Sequence, residues 1–145
     1  MIRTVLAMTV IAFGVSAVVA QGDPIAQRKA LMKGNGQQNR IATDMVENKA
    51  PFDLATAKKV FASFEEAAVK SKDLYPDTAK TGGETAALPA VWETKADFIA
   101  KLDKFAADSK AAAAATTDFD TFKAQIAEVR KNCGGCHNTY RKRQS

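Results

Sequence analysis

Apolar side chains recur every three to four residues through four long stretches of the chain, and no stretch alternates apolar with polar as a half-buried strand does. The first stretch runs from about Pro24 to Glu47. Asp23 stands before it as a cap and Pro24 suits the first turn, where its missing N–H is not needed. Its apolar positions Ile25, Leu31, Met32, Ile41, Met45 and Val46 fit a helix only loosely, and Gly34 and Gly36 weaken it. The second, from about Asp53 to Leu74, carries Leu54, Ala57, Phe61, Phe64, Ala68 and Leu74 or Tyr75 as a clear stripe and is stopped by Pro76. A loop rich in Pro, Gly and Thr covers 76–89. The third, about Ala90 to Ala115, presents Trp92, Phe98, Ile99, Leu102, Phe105 and Ala106, and its Ala111–Ala115 run has little to bury and is expected to fray. The fourth begins at Asp118 and puts Phe119, Phe122, Ile126, Val129, Cys133, Cys136 and Tyr140 on one broad face to the C-terminus. Four amphipathic helices of about 20–25 residues predict an all-α protein, an antiparallel four-helix bundle, which builds cofactor sites from side chains on facing helices.

At 145 residues there is room for one domain. No self-similarity at a 20–50-residue period marks a repeat protein. Apolar residues at 46% and charged residues at 26% exclude a disordered chain. Residues 1–20 read as an export signal rather than part of the fold: Arg3 begins it, Val5–Val19 carries no charge, and Val18-Val19-Ala20 places small side chains before a cleavage after Ala20. The alternative, an uncleaved anchor, is disfavoured because the apolar run falls short of the ~20 residues a span needs. The domain is then 21–145, and with Arg3 removed the formal charge falls from +5 to +4. The one basic run, Arg141-Lys142-Arg143, reads as a solvated helix end suited to the macrodipole. An exported protein has little occasion to meet nucleic acid.

The chemistry is concentrated in Cys133-Gly134-Gly135-Cys136-His137, which holds both cysteines and the single histidine of the chain. C-x-x-C-H is the attachment motif of c-type haem. Two thiols add across the two haem vinyl groups, and the adjoining histidine is held near the iron as the proximal ligand. The two glycines let the backbone lie against the ring. On a helix Cys133, Cys136 and His137 share one face. Three other readings compete. A thioredoxin-like dithiol normally follows a strand, and none precedes the motif. A disulfide between i and i+3 closes too small a loop to stabilise much. Zinc lacks a fourth ligand.

The motif's place near the end of the last of four helices makes the chain resemble the class II c-type cytochromes, cytochrome c′ and its low-spin relatives. The resemblance covers essentially all of 21–145. Its specific parts are residues 133–141 and the stretch Gln27-Arg28-Lys29-Ala30-Leu31-Met32-Lys33, with weaker support from Val91-Trp92. It implies one covalent haem c near the C-terminal helix, Cys133 and Cys136 as thioether donors, His137 as proximal ligand, Arg28 beside a haem propionate and Arg141 near the proximal face. For Arg28 and Arg141 a plain solvated charge is the alternative, and for Trp92 plain core packing. It also implies that Met32 takes the distal position. Self-association through the first two helices occurs in such proteins, so a homodimer stays open.

Met32 and Met45 are the only methionines after residue 20 and point about 220° apart on the first helix, while Arg28 shares the face of Met32. A thioether ligand gives six-coordinate, low-spin iron with a raised potential. The protein is then a periplasmic one-electron carrier exchanging electrons with other redox proteins. If Met32 only packs in the core, the iron is five-coordinate and its open side takes NO or CO. With one histidine, bis-His ligation is excluded, and no general base stands near the site to suggest an enzyme. Either way, a gap lined by Met32 and His137 is expected between the first and fourth helices.

Overall fold

The computed structural model describes residues 22–143, so the export segment at 1–20 lies outside the described residues. Among the described residues five α-helices follow one another: α1 (Pro24–Val46), α2 (Leu54–Ser71), α3 (Ala90–Glu93), α4 (Lys95–Ala115) and α5 (Phe119–Tyr140). The four long ones form an antiparallel bundle, with α3 a single turn leading into α4. Aspartates begin three of them. Asp23 accepts from the Ile25 N–H at 2.9 Å, Asp53 from the Thr56 N–H at 2.7 Å, and Asp118 forms a reciprocal capping box with Thr121.

Four sequence expectations need correction. The helix expected from Ala90 to Ala115 is broken at Thr94 (φ −122°, ψ 46°), whose hydroxyl donates to the Ala90 carbonyl at 2.9 Å and also meets the Tyr140 hydroxyl at 3.0 Å. The alanine run stays helical to Ala115, because Ala112 is in the core and Thr116 closes the last turn onto its carbonyl. The last helix stops at Tyr140. Arg141 is extended and pairs with Ala87, while Leu88 N–H reaches the Tyr140 carbonyl at 2.9 Å and Lys142 N–H the Ala86 carbonyl at 2.8 Å. The basic triplet thus begins at the helix C-cap, Arg141, and continues as a strap across the 86–88 loop. Leu54, expected in the core, is exposed at the first position of α2.

Along the bundle α1 packs on α2, α2 on α4 and α4 on α5, whereas α1 and α5 meet sparingly. The core is divided. One cluster joins Ala42 and Met45 to Phe61, Phe64, Ala112, Phe122, Ile126 and Val129. A second gathers Val91, Phe98, Leu102 and Tyr140 at the other end. A domain of this size ordinarily has one contiguous core. Here a cavity separates the two.

Candidate functional site

The cavity, about 600 Å³, lies along the seam between α1 and α5. Phe64 and Phe105 line it from one cluster, Val91, Phe98, Leu102 and Tyr140 from the other. From α1 come Arg28, Met32, Asn35, Gly36 and Asn39, which at i, i+3, i+4 and i+7 about Met32 form one face. From α5 come Cys133, Cys136 and His137, and Arg141 lies just past the helix. All six residues singled out in the sequence therefore border one space, with Met32 and His137 contributed by different helices.

Both cysteines are free, Cys133 exposed and Cys136 half-buried. Burial pushes both thiols up, against smaller opposing pulls from Arg130 on Cys133 and Lys101 on Cys136. A redox-active dithiol needs a lowered thiol pKa and follows a strand. The described residues include no strand beyond the single Ala87–Arg141 bridge. Among them, no three His, Cys, Asp or Glu side chains converge as a metal site. Burial, then the Arg141 charge, holds the His137 imidazole below its usual range, so it is neutral with a lone pair free. Gly134 and Gly135 are exposed, and a Cβ on either would meet no protein atom within 4 Å.

Arg28 is 4% exposed. It donates to the carbonyls of Leu74 at 3.1 Å and Ala79 at 3.0 Å and to Thr85 Oγ1 at 2.5 Å, and its guanidinium lies 4.7 Å from the Tyr75 ring centroid and 5.8 Å from that of Trp92. Trp92 does not line the cavity. It stands behind Arg28 and donates to the Tyr75 and Pro76 carbonyls. Among the described residues no carboxylate pairs with Arg28. A buried cation is ordinarily paired. Its desolvation lowers the Arg28 pKa. An apolar-walled slot that splits the core, with an unpaired cation at one edge and two thiols and an imidazole on one helix face, fits a flat apolar macrocycle bearing carboxylates.

Sequence reasoning left out several neighbours of the site. Asn132, next to Cys133, donates to Asp108 on α4 at 2.7 Å. Tyr140, read as packing, donates to Asp97 at 2.5 Å and ties the turn after His137 to α4. Asn35, Asn39 and Arg130 were not singled out, although Arg130 stands two turns before His137 on the same face.

A helical bundle with C-x-x-C-H on its last helix, facing such a slot, defines a bundle-type c-type cytochrome. The comparisons give the family. Residues 23–141 match the cytochrome c′ family model. The chain is 39% identical to cytochrome c′ of Rhodopseudomonas palustris over 144 residues, covering 99% of this chain and 97% of that one. It is 29% identical to cytochrome c-556 of the same organism, covering 99% of each. The solved structure of cytochrome c′ from Rhodopseudomonas palustris superposes with a TM-score of 0.83 at 40% identity, covering 86% of this chain and all of that one. The chain belongs to the cytochrome c′ family, and its cofactor is haem c.

Proposed function

We propose that the protein is a periplasmic one-electron carrier whose single haem c would be held through Cys133 and Cys136, with His137 and Met32 as the side chains that would ligate its iron. The observation that carries this reading is that Met32 on α1 and His137 on α5 border the same slot from different helices. When bound, the haem supplies an iron that cycles between ferrous and ferric. The chain's own residues do the rest. His137, kept neutral by burial and Arg141, offers its lone pair. Met32 offers a thioether sulfur, a soft donor that favours the ferrous state. Arg28 and Arg141 set positive charge where an acidic haem edge can be neutralised. The apolar side chains Phe64, Val91, Phe98, Leu102 and Phe105 keep water from part of the slot, which limits the reorganisation that accompanies each change of charge. With two side chains ligating the iron no open position is left for a substrate, so the role is carriage rather than catalysis. Export through residues 1–20 places the protein among periplasmic redox partners. Among the described residues no helix is long and apolar enough to cross a membrane.

The 39% identity to a protein named cytochrome c′ favours a second reading, in which Met32 only packs and the open iron binds NO or CO. Optical spectra of the oxidised and reduced holoprotein, beside Met32→Ala, separate the two. Sharp low-spin bands and a sulfur–iron band at the red end, both lost in the variant, establish His/Met ligation. A broad high-spin spectrum unchanged by the substitution refutes it and moves the function to gas binding.

A further inference from the structure

The seam between α1 and α5 is held on its polar side by one residue. Arg130 donates from Nε to Asn39 Oδ1 at 2.7 Å, and from Nη2 to the Asn39 carbonyl at 3.1 Å and to Thr43 Oγ1 at 2.6 Å. Thr43 Oγ1 in turn donates to the Asn39 carbonyl at 2.9 Å, which closes the cluster on itself. Among the described residues, every side-chain hydrogen bond between α1 and α5 comes from Arg130.

The position of this clamp matters more than its strength. Met32 lies seven residues before Asn39, and His137 seven residues after Arg130. Seven residues turn a helix about 700°, nearly two full turns, and advance it ~10.5 Å. The helices are antiparallel, so both residues stand at the same level on the same side of the clamp. On its other side the seam is closed by Ala42 and Met45, which share a core cluster with Val129. The clamp marks the boundary between the closed seam and the slot.

The cavity-facing part of α1 is also its least self-supporting part. Gly34 and Gly36 lie between Met32 and the clamp, and a Cβ at either meets nothing within 4 Å. No protein atom crowds either position, and each weakens the helix by ~0.5–1 kcal/mol relative to alanine. Met32 is thus carried on a soft segment anchored at two places, through Arg28 to the 74–85 loop and through Asn39 and Thr43 to Arg130.

We propose that Arg130 is a positioning residue: its clamp on Asn39 and Thr43 sets the separation of α1 from α5 at the sixth position of the haem iron, and so governs how readily an external ligand gains that position. This rests on the slot holding haem. It does not rest on Met32 being a ligand, because an unligated α1 still crowds the same side. The planar fork of arginine reaches two residues at once, which lysine does not.

The test is CO titration of the reduced holoprotein, comparing the parent with Arg130→Gln, Arg130→Lys and Phe61→Leu. Loss of the clamp is expected to raise CO affinity by about fivefold or more, the lower range of coupling between sites, with lysine restoring only part of the parent behaviour. Phe61→Leu loosens the distant core and is expected to lower stability without changing CO affinity. An Arg130→Gln holoprotein whose CO affinity stays with that of Phe61→Leu overturns the proposal. Where Arg130→Gln yields no folded holoprotein, Thr43→Val removes one acceptor and serves in its place, and parental CO affinity there overturns it equally. The Met32→Ala spectrum reports on Met32 ligation independently, so the two readings fail separately.

Discussion

Replacing Arg28 by methionine in the haem-loaded protein asks whether an anionic group faces this buried cation. Methionine keeps most of the volume and removes the charge and the fork. Arg28 makes three hydrogen bonds, to Leu74 O, Ala79 O and Thr85 Oγ1, each worth ~1.5–3 kcal/mol as bonds from a charged donor. Its contact with Tyr75 adds ~0.5–2 kcal/mol. Against these stands the desolvation of a guanidinium that is 4% exposed, several kcal/mol by itself. Without an anion the relief of desolvation offsets much of this, and methionine is expected to cost ~1–2 kcal/mol through the Leu74 and Ala79 carbonyls it leaves without a donor. With a haem carboxylate opposite, methionine strands that carboxylate, and the loss is ~3–5 kcal/mol, the usual cost of removing one member of a buried pair. At roughly 4 °C per kcal/mol for a domain of this size, Tm falls by about 12–20 °C. Guanidinium unfolding of the holoprotein followed by helical circular dichroism gives the number. Arg28→Lys, which keeps the charge but not the three-way fork, is expected to recover part of the loss. A change below about 2 kcal/mol for Arg28→Met, no more than the stranded carbonyls account for, refutes the assignment of Arg28 to the acidic edge of the haem.

Other substitutions test the frame around the site. Phe61→Ala empties a fully buried position packed edge-on against Phe122 at 5.7 Å, and is expected to cost ~3–5 kcal/mol in equilibrium unfolding; a cost under ~2 kcal/mol contradicts the packing. Gly83→Ala is expected to cost ~1–2 kcal/mol, because φ is +51° and the new Cβ falls 3.0 Å from Ile25 Cγ2. Gly82→Ala, at φ +87° with nothing within 4 Å, is the control that carries backbone strain alone, and equal costs at the two positions argue against the Ile25 contact. Gly135→Ala is expected to stabilise the haem-free chain by ~0.5–1 kcal/mol, because the residue is helical and no protein atom lies within 4 Å of its Cβ; an equal gain in the holoprotein argues against haem lying on that side of α5.

How much of this was legible in the sequence depends on whether the deciding contacts were local. The stripes on α2 and α5 foretold Phe61, Phe64, Phe122, Ile126 and Val129 as core, since helical spacing alone puts them on one face. That Cys133, Cys136 and His137 border one space from one helix face was legible because the motif is contiguous. The break at Thr94 was hidden, because it involves Tyr140, far along the chain. The acceptors of Arg28 were hidden for another reason: two of them are backbone carbonyls, which every residue type supplies and no composition advertises. The end of α5 at Tyr140 escaped notice because it is set by pairing with residues 86–88.

The loose fit of α1 to an apolar pattern carried information of its own. A bundle helix facing three protein neighbours needs large apolar groups at i, i+3, i+4 and i+7. The face of α1 that begins at Met32 continues with Asn35, Gly36 and Asn39, small or polar at each place where a leucine would fill a protein core, and all four line the slot. A face so poor in apolar volume cannot stabilise α1 against another helix. It can do so against a large apolar group that is not part of the chain, provided polar anchors such as Arg28 and the Arg130 clamp hold the helix at the right distance. The weakness of the stripe and the division of the core into two clusters are then one fact seen along the chain and across the bundle: the volume missing from α1 is the volume of the slot.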